Sequence, residues 1–150
     1  MRPLLALSLL VACAHPSPLV TQEGPPLKPG SAAVTIAPET VGTDPSLREH
    51  GAELRSALAK ALATEGFRVV ETGGLLLTTS IDYSPWTSVS AASLYIVVRL
   101  QNEGVSVDQV EVQKVNEAFP EPARVDDLAH ALAHALATSP RLKDFLAKSN

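Results

Sequence analysis

The stretch LYIVVRLQNEGVSVDQVEV, residues 94–112, decides the fold class of this chain. Apolar residues occupy every even position from 94 to 100, which is the period of a β-strand with one buried face. Asn102-Glu103-Gly104 has the composition of a tight turn, so a second strand should fold back on the first. In that second strand the alternation slips at Asp108-Gln109, which predicts a bulge or a twist in the strand.

Further elements extend this hairpin toward the N-terminus. Residues 75–83 alternate in the same way, and residues 32–38 read as a strand that ends at Pro38. Between them, Asp44 and Pro45 predict the start of a helix that ends at Gly66, followed by a strand at 67–71. A strand, a helix of about 20 residues and another strand predict a right-handed crossover between parallel neighbours.

An apolar stripe from Val125 to Leu136 predicts the second helix, and Ser139-Pro140 opens a short terminal one. We therefore predict an α/β (α+β) two-layer sandwich in the order β-α-β-β-β-α. A mixed sheet of about five strands carries two helices on one face, and residues 32–150 form a single domain.

The N-terminus has the features of a signal peptide, predicted over residues 1–12. Arg2 precedes a nine-residue apolar run, Leu4 to Ala12, that is too short to span a membrane. The segment Leu10-Val11-Ala12-Cys13 resembles the lipobox of bacterial lipoprotein precursors. That resemblance implies that Cys13, the only cysteine, carries a diacylglyceryl thioether and an amide-linked acyl chain that anchor the protein in a membrane. By resemblance to proteobacterial lipoprotein sorting, Ala14 after the cysteine implies the outer membrane, facing the periplasm, and the inner membrane and the cell surface stay open as alternatives.

Two other interpretations of Cys13 stay open. Ala12-Cys13-Ala14 also fits ordinary signal cleavage, which would release a free protein, and the thiol could be an idle buried group. Residues 13–31 are predicted to be the lipidated cysteine and a proline-rich tether. By the polyproline rise, its eighteen residues after Cys13 reach roughly 50 Å.

Composition excludes several classes of function. Lysine and arginine total 12 against 16 acidic residues, so the net charge of −4 offers no field for nucleic acid. A single cysteine excludes an intrachain disulfide and a thiolate cluster. Hydrophobic residues make up 45% of the chain but aromatic residues only 4%, so the core must be aliphatic.

The body also resembles a group of bacterial envelope domains. The features are the strand ending in Pro38, the helix leading into Gly66-Phe67-Arg68-Val69-Val70-Glu71, and the closing helix from Leu128 to Leu136. The group includes the amino-terminal domain of the Tol–Pal periplasmic protein, the curli-export lipoproteins and the lipoprotein activators of penicillin-binding proteins. Glu39 stands where the group usually has an aromatic residue, and the chain has no room for the curli-export insertions.

Catalytic and metal-binding patterns are weak. Asp127, His130 and His134 share a helix face, but that face lies opposite the leucine stripe and is expected to be in solvent, so no metal site is predicted. The chain has no G-x-S-x-G elbow, and Thr72-Gly73-Gly74 reads as an ordinary turn. We predict that the protein is not an enzyme and has no cofactor beyond the acyl groups on Cys13.

The predicted partner-binding residues are Tyr83, Trp86 and Tyr95. Trp86 is the only tryptophan and lies in a loop between two predicted strands, where such a side chain can anchor a partner. It could equally fold back and cap the end of the sheet.

We therefore predict a non-catalytic, lipid-anchored envelope protein that binds a periplasmic or outer-membrane macromolecule. The alternative is a carrier for a small ligand or lipid, similar in architecture to the small lipopolysaccharide-assembly lipoprotein. It requires a cavity between sheet and helices, lined by Leu58, Leu77, Ile96 and Leu132.

Overall fold

The structure, a computed structural model, describes residues 25, 27–42, 47–85, 92–115, 120 and 122–149. Six strands and three helices occupy these ranges. In chain order they are β1 (Ala32–Ile36), β2 (Thr40–Val41), α1 (Leu47–Thr64), β3 (Phe67–Val69), β4 (Leu75–Pro85), β5 (Ala92–Asn102), β6 (Val105–Val115), α2 (Pro122–Thr138) and α3 (Pro140–Ser149). The predicted helix start at Asp44 and Pro45 lies outside the described residues.

The strands form one mixed sheet in the order β3-β1-β4-β5-β6, with the short β2 paired to β4. β1 is parallel to both β3 and β4, whereas β4, β5 and β6 are antiparallel. The predicted fold class and the parallel crossover through α1 are thus confirmed. The strand missing from the prediction is β2, a two-residue strand after Pro38 that is too short to show any period.

The β5–β6 hairpin has the predicted turn. Glu103 and Gly104 both have positive φ, +50° and +81°, as a type I′ turn requires of its two central residues. Leu100 pairs with Asp108 and Gln101 with Ser106, so Val107 is the bulged residue, one position nearer the turn than predicted. Beyond the bulge, Asp108, Val110 and Val112 face Leu100, Val98 and Ile96 across the ladder.

The helices cover one face of the sheet, as the alternation predicts. Residues 94, 96, 98 and 100 of β5 are fully buried, and the intervening residues are only half-buried. Each fully buried leucine or isoleucine contributes about 1.5–3 kcal/mol relative to exposure. The core is aliphatic apart from Phe67, which is 3% exposed. Its fully buried large side chains are Leu47, Leu54, Leu58, Leu62, Leu77, Ile81, Leu94, Ile96, Leu100, Leu132, Leu136 and Leu142.

Small residues line the packing of α1 on α2. Ala57 and Ala61 are buried on α1, and Ala129, Ala133 and Ala137 are buried on α2. Side chains as small as alanine let two helices approach closely, and α1 and α2 are in extensive contact. Among the described residues, no helix combines the length and apolarity that a membrane crossing requires.

Part of the predicted tether lies against the domain. Leu27 is 9% exposed and belongs to the core cluster. The Gly30 N–H donates to the Gly66 carbonyl at 2.8 Å, and Lys143 Nζ on α3 donates to the Pro25 carbonyl at 2.6 Å. The domain therefore holds the chain from residue 25 onward, before β1 begins.

The side chain of Glu39 packs against α1 at Gly51, the glycine of that helix. Glu39 lies so close to Gly51 that a Cβ on the glycine would be 2.5 Å from Glu39 Cγ. The carboxylate forms an ion pair with Arg55, at 3.2 Å from Oε2 to Nη1. Glu39 and Arg55 thus fasten the segment after β1 to α1.

Gly66 ends α1 in the left-handed conformation, with φ +96°, and a Cβ there would be 2.8 Å from the Leu27 carbonyl oxygen. Gly73 has a similar φ of +83°, but nothing lies within 4 Å of a Cβ placed on it. We expect Gly73→Ala to lower the free energy of unfolding by about 1–2 kcal/mol through backbone strain alone. Gly66→Ala should lower it by about 2–4 kcal/mol because the clash is added. Urea unfolding of both variants measures the difference, and equal losses would contradict the close approach of Leu27.

The contact between Glu39 and Gly51 is testable by a double-mutant cycle. Gly51→Ala should lower the free energy of unfolding, since the clash exceeds the gain of about 1 kcal/mol that alanine brings to a helix. In a Glu39→Ala background the same change should instead raise it by about 1 kcal/mol, because the clash is gone. Chemical denaturation of the four proteins gives the coupling. The same effect of Gly51→Ala in both backgrounds would refute the contact.

Candidate functional site

The face of the sheet turned away from the helices, here called the open face, is the candidate site. Three antiparallel strands supply it, and their register places polar side chains directly opposite one another. Its residues are Leu76, Thr78, Ser80 and Asp82 of β4, Tyr95, Val97, Arg99 and Gln101 of β5, and Gln109, Glu111 and Gln113 of β6.

Side-chain hydrogen bonds link β5 to β6 across the open face. Gln113 Nε2 donates to the Tyr95 hydroxyl at 2.7 Å, and Arg99 Nε donates to Gln109 Oε1 at 2.6 Å. Both pairs are directly opposite in the ladder, the geometry in which cross-strand side chains interact best. The bonds hold the phenol and the guanidinium in fixed positions on the face.

The charges on β5 and β6 are joined through one amide. Arg99 donates to the oxygen of Gln109, and the amide nitrogen of Gln109 donates to Glu111 Oε1. A chain that runs from a cation through a neutral dipole to an anion strengthens each of its bonds. The open face thus carries ordered hydrogen-bond donors and acceptors, with a positive and a negative side chain, around the half-buried Val97.

Tyr95 is the predicted binding residue that the structure locates, on the open face opposite Asp82 and Gln113. Tyr83 belongs to β4, where its backbone pairs with Leu94, but its side chain lies outside what the structure describes. Trp86 and Cys13 also lie outside the described residues, so all three remain sequence predictions.

Sequence reasoning missed the contribution of β6. Gln109, Glu111 and Gln113 alternate with apolar residues, which was the available signal. Which β5 residue each one faces depends on the bulge at Val107, because a shift of one residue moves every later side chain to the other face.

The helix face of Asp127, His130 and His134 differs from the prediction in the exposure of one residue. Asp127 and His130 are exposed, as expected. His134 is only half-exposed, because its Nδ1 lies 3.1 Å from Glu65 Oε2 at the end of α1. Within the described ranges, no group of three histidine, cysteine or acidic residues has an arrangement that could hold a metal ion.

The cavity that a carrier would need is not formed by the predicted residues. Leu58, Leu77, Ile96 and Leu132 are all 0% exposed, so no water-sized space borders them. A cleft of about 520 Å³ lies elsewhere, between the β5–β6 turn and α3, with Val105 and Phe145 in its lining. Its mouth is wide, and charged residues of α3 form part of its wall.

No protein-family model matches the chain, and no curated protein is similar to it. Its fold is similar to two crystal structures of PelC from Paraburkholderia phytofirmans, both of dodecamers. The TM-scores are 0.51 and 0.52 at 15% and 14% identity, over 77% of this chain and 92% and 94% of the PelC chains. A Xanthomonas campestris protein of family DUF330 has a TM-score of 0.50 at 12% identity, over 85% of this chain and 94% of its own. At these identities the comparisons establish a shared fold.

Proposed function

We propose that the protein is a non-catalytic, lipid-anchored envelope protein that binds a macromolecular partner through the open face. The observation that carries the binding role is the ordered polar network of Tyr95, Arg99, Gln109 and Gln113 on a face that the helices leave uncovered. A surface whose polar side chains are already fixed loses less entropy when a partner binds.

The membrane anchor in this proposal is Cys13, at the end of the lipobox-like Leu10-Val11-Ala12-Cys13. Its location in the outer membrane follows from the same resemblance and from Ala14. In this proposal the proline-rich residues that follow separate the domain from that membrane, on its periplasmic side. An envelope role is also what the sequence resemblance to Tol–Pal and curli-export domains implies.

Intact-mass analysis of the mature protein from its native host tests the anchor. We expect a chain that begins at Cys13 and carries the mass of a diacylglyceryl group and one fatty acid. A Cys13→Ser variant should retain its signal peptide and lack that mass, because no thiol remains to be acylated. A mature, unacylated wild-type chain that begins after Cys13 would refute the anchor.

Site-specific photo-crosslinking in isolated membranes tests the open face. Ser80 on β4 and Ser56 on α1 are both exposed serines, one on the open face and one on the helical side. A photo-reactive residue at position 80 should yield a defined adduct, and the same residue at position 56 should not. Adding Arg99→Ala should lower the yield of this adduct about tenfold. Truncating an interface arginine that contributes about 1.4 kcal/mol to binding lowers the affinity by that factor. Equal adducts from both positions would contradict the proposal.

One candidate for the partner is a second copy of this chain, because the similar PelC structures are dodecamers. An adduct of twice the monomer mass from position 80 identifies self-assembly through the open face. An adduct of any other mass identifies a different envelope macromolecule.

A further inference from the structure

We propose that residues 25–31, here called the strap, dock reversibly on the domain and give the lipid tether two lengths. With the strap docked the tether ends at residue 24, and with the strap released it ends where β1 begins. The proposal rests on the lipid anchor at Cys13, but the docking itself does not depend on that anchor.

The strap contacts the chain just after α1 and one residue of α3. The Leu27 side chain enters the core, and its carbonyl lies over Gly66, where any side chain would collide with it. The Gly30 N–H donates at 2.8 Å to the carbonyl of Gly66, which lies between the end of α1 and the start of β3. At the start of the strap, Lys143 Nζ donates to the Pro25 carbonyl at 2.6 Å.

Among the described residues, the contacts of the strap with the domain are few. They comprise the buried Leu27 side chain, one backbone hydrogen bond to Gly66 and one exposed hydrogen bond from a lysine. The conformational entropy regained on release is of the same order as such contacts, and the prolines at 25, 26 and 29 lower that gain. The docked and released states are therefore close in free energy.

Release must stop at β1. Ala32 begins a strand that pairs with β3 on one side and β4 on the other, so freeing it would open the sheet. The strap is held by a few contacts, whereas β1 is hydrogen-bonded on both edges. The strap can therefore detach while β1 stays in the sheet.

The difference in reach follows from the chain lengths. Eleven residues, 14–24, separate Cys13 from the docked strap, and eighteen residues, 14–31, separate it from β1. At the polyproline rise these spans correspond to about 34 Å and to the reach of somewhat more than about 50 Å estimated for the whole tether. A partner beyond the shorter reach can be engaged only when the strap is released.

Hydrogen exchange of single amides in the full-length mature protein tests the docking. We expect the Gly30 amide to exchange about a hundredfold more slowly than in an unstructured peptide, because its N–H is bonded to Gly66. Leu27→Ala should cut that protection about tenfold. The Val70 amide, which donates to the Val34 carbonyl inside the sheet, should be unchanged and serves as the internal control.

Lys143→Met and Lys148→Met form a matched pair on α3. The first removes the bond to Pro25 and should speed exchange at Gly30 severalfold, and the second removes an exposed charge of the same helix and should not. An unprotected Gly30 amide in the wild type would overturn the proposal. Equal acceleration at Gly30 and Val70 in Leu27→Ala would also overturn it, since the strap would then open only with the whole domain.

Energy transfer from Trp86, the only tryptophan, to a dansyl-labelled lipid measures the tether. In phosphatidylethanolamine–phosphatidylglycerol vesicles that carry the purified lipidated protein, Leu27→Ala should lower the transfer efficiency. Unchanged transfer would overturn the two-length tether. A protein that keeps Gly30 protected but carries no lipid and fails to bind vesicles would refute the anchor instead, so the two failures are distinguishable.

Discussion

The burial of β4 and β5 on one face only is the constraint on which the rest of the structure depends. Their leucines, isoleucines and valines require a cover, and α1 and α2 can supply it side by side because alanines let them approach closely. All three helices therefore lie on the same side of the sheet. Among the described residues no helix lies on the opposite side, so its side chains do not have to be apolar.

The end of α1 is a second point on which several features converge. Gly66 turns the chain from helix to strand, and its carbonyl and its missing side chain receive the strap. One residue earlier, Glu65 reaches His134 on α2 and links the two helices. Three features therefore meet just after the end of α1. The Gly66 conformation turns the chain into β3, the Gly66 carbonyl accepts from Gly30, and the Glu65 carboxylate contacts His134 on α2.

Several elements were predictable because their signals are local. The period of β5, the Asn102-Glu103-Gly104 turn and the glycine end of α1 each depend on neighbouring residues, and each was predicted correctly. The bulge was misplaced by one residue, since Val107, Asp108 and Gln109 offer no local preference for which of them lacks a partner on β5. The strap was predicted to be part of an extended spacer, because prolines dominate its composition while the single Leu27 that docks it carries no periodic signal.

In the candidate site, too, some features follow from local sequence and others from tertiary contacts. The sequence by itself determined that one face of β4 and β5 is polar, that Tyr95 lies on it, and that Cys13 sits in a lipobox-like segment. These follow from spacing along the chain, where the period of a strand or the length of an apolar run is enough. Only the tertiary structure decided that Gln113 meets Tyr95, that Gln109 meets Arg99, that His134 meets Glu65 and that Leu27 enters the core. Each of those contacts joins residues distant in sequence or across a register, and the register was set by where the whole sheet could bury its apolar side.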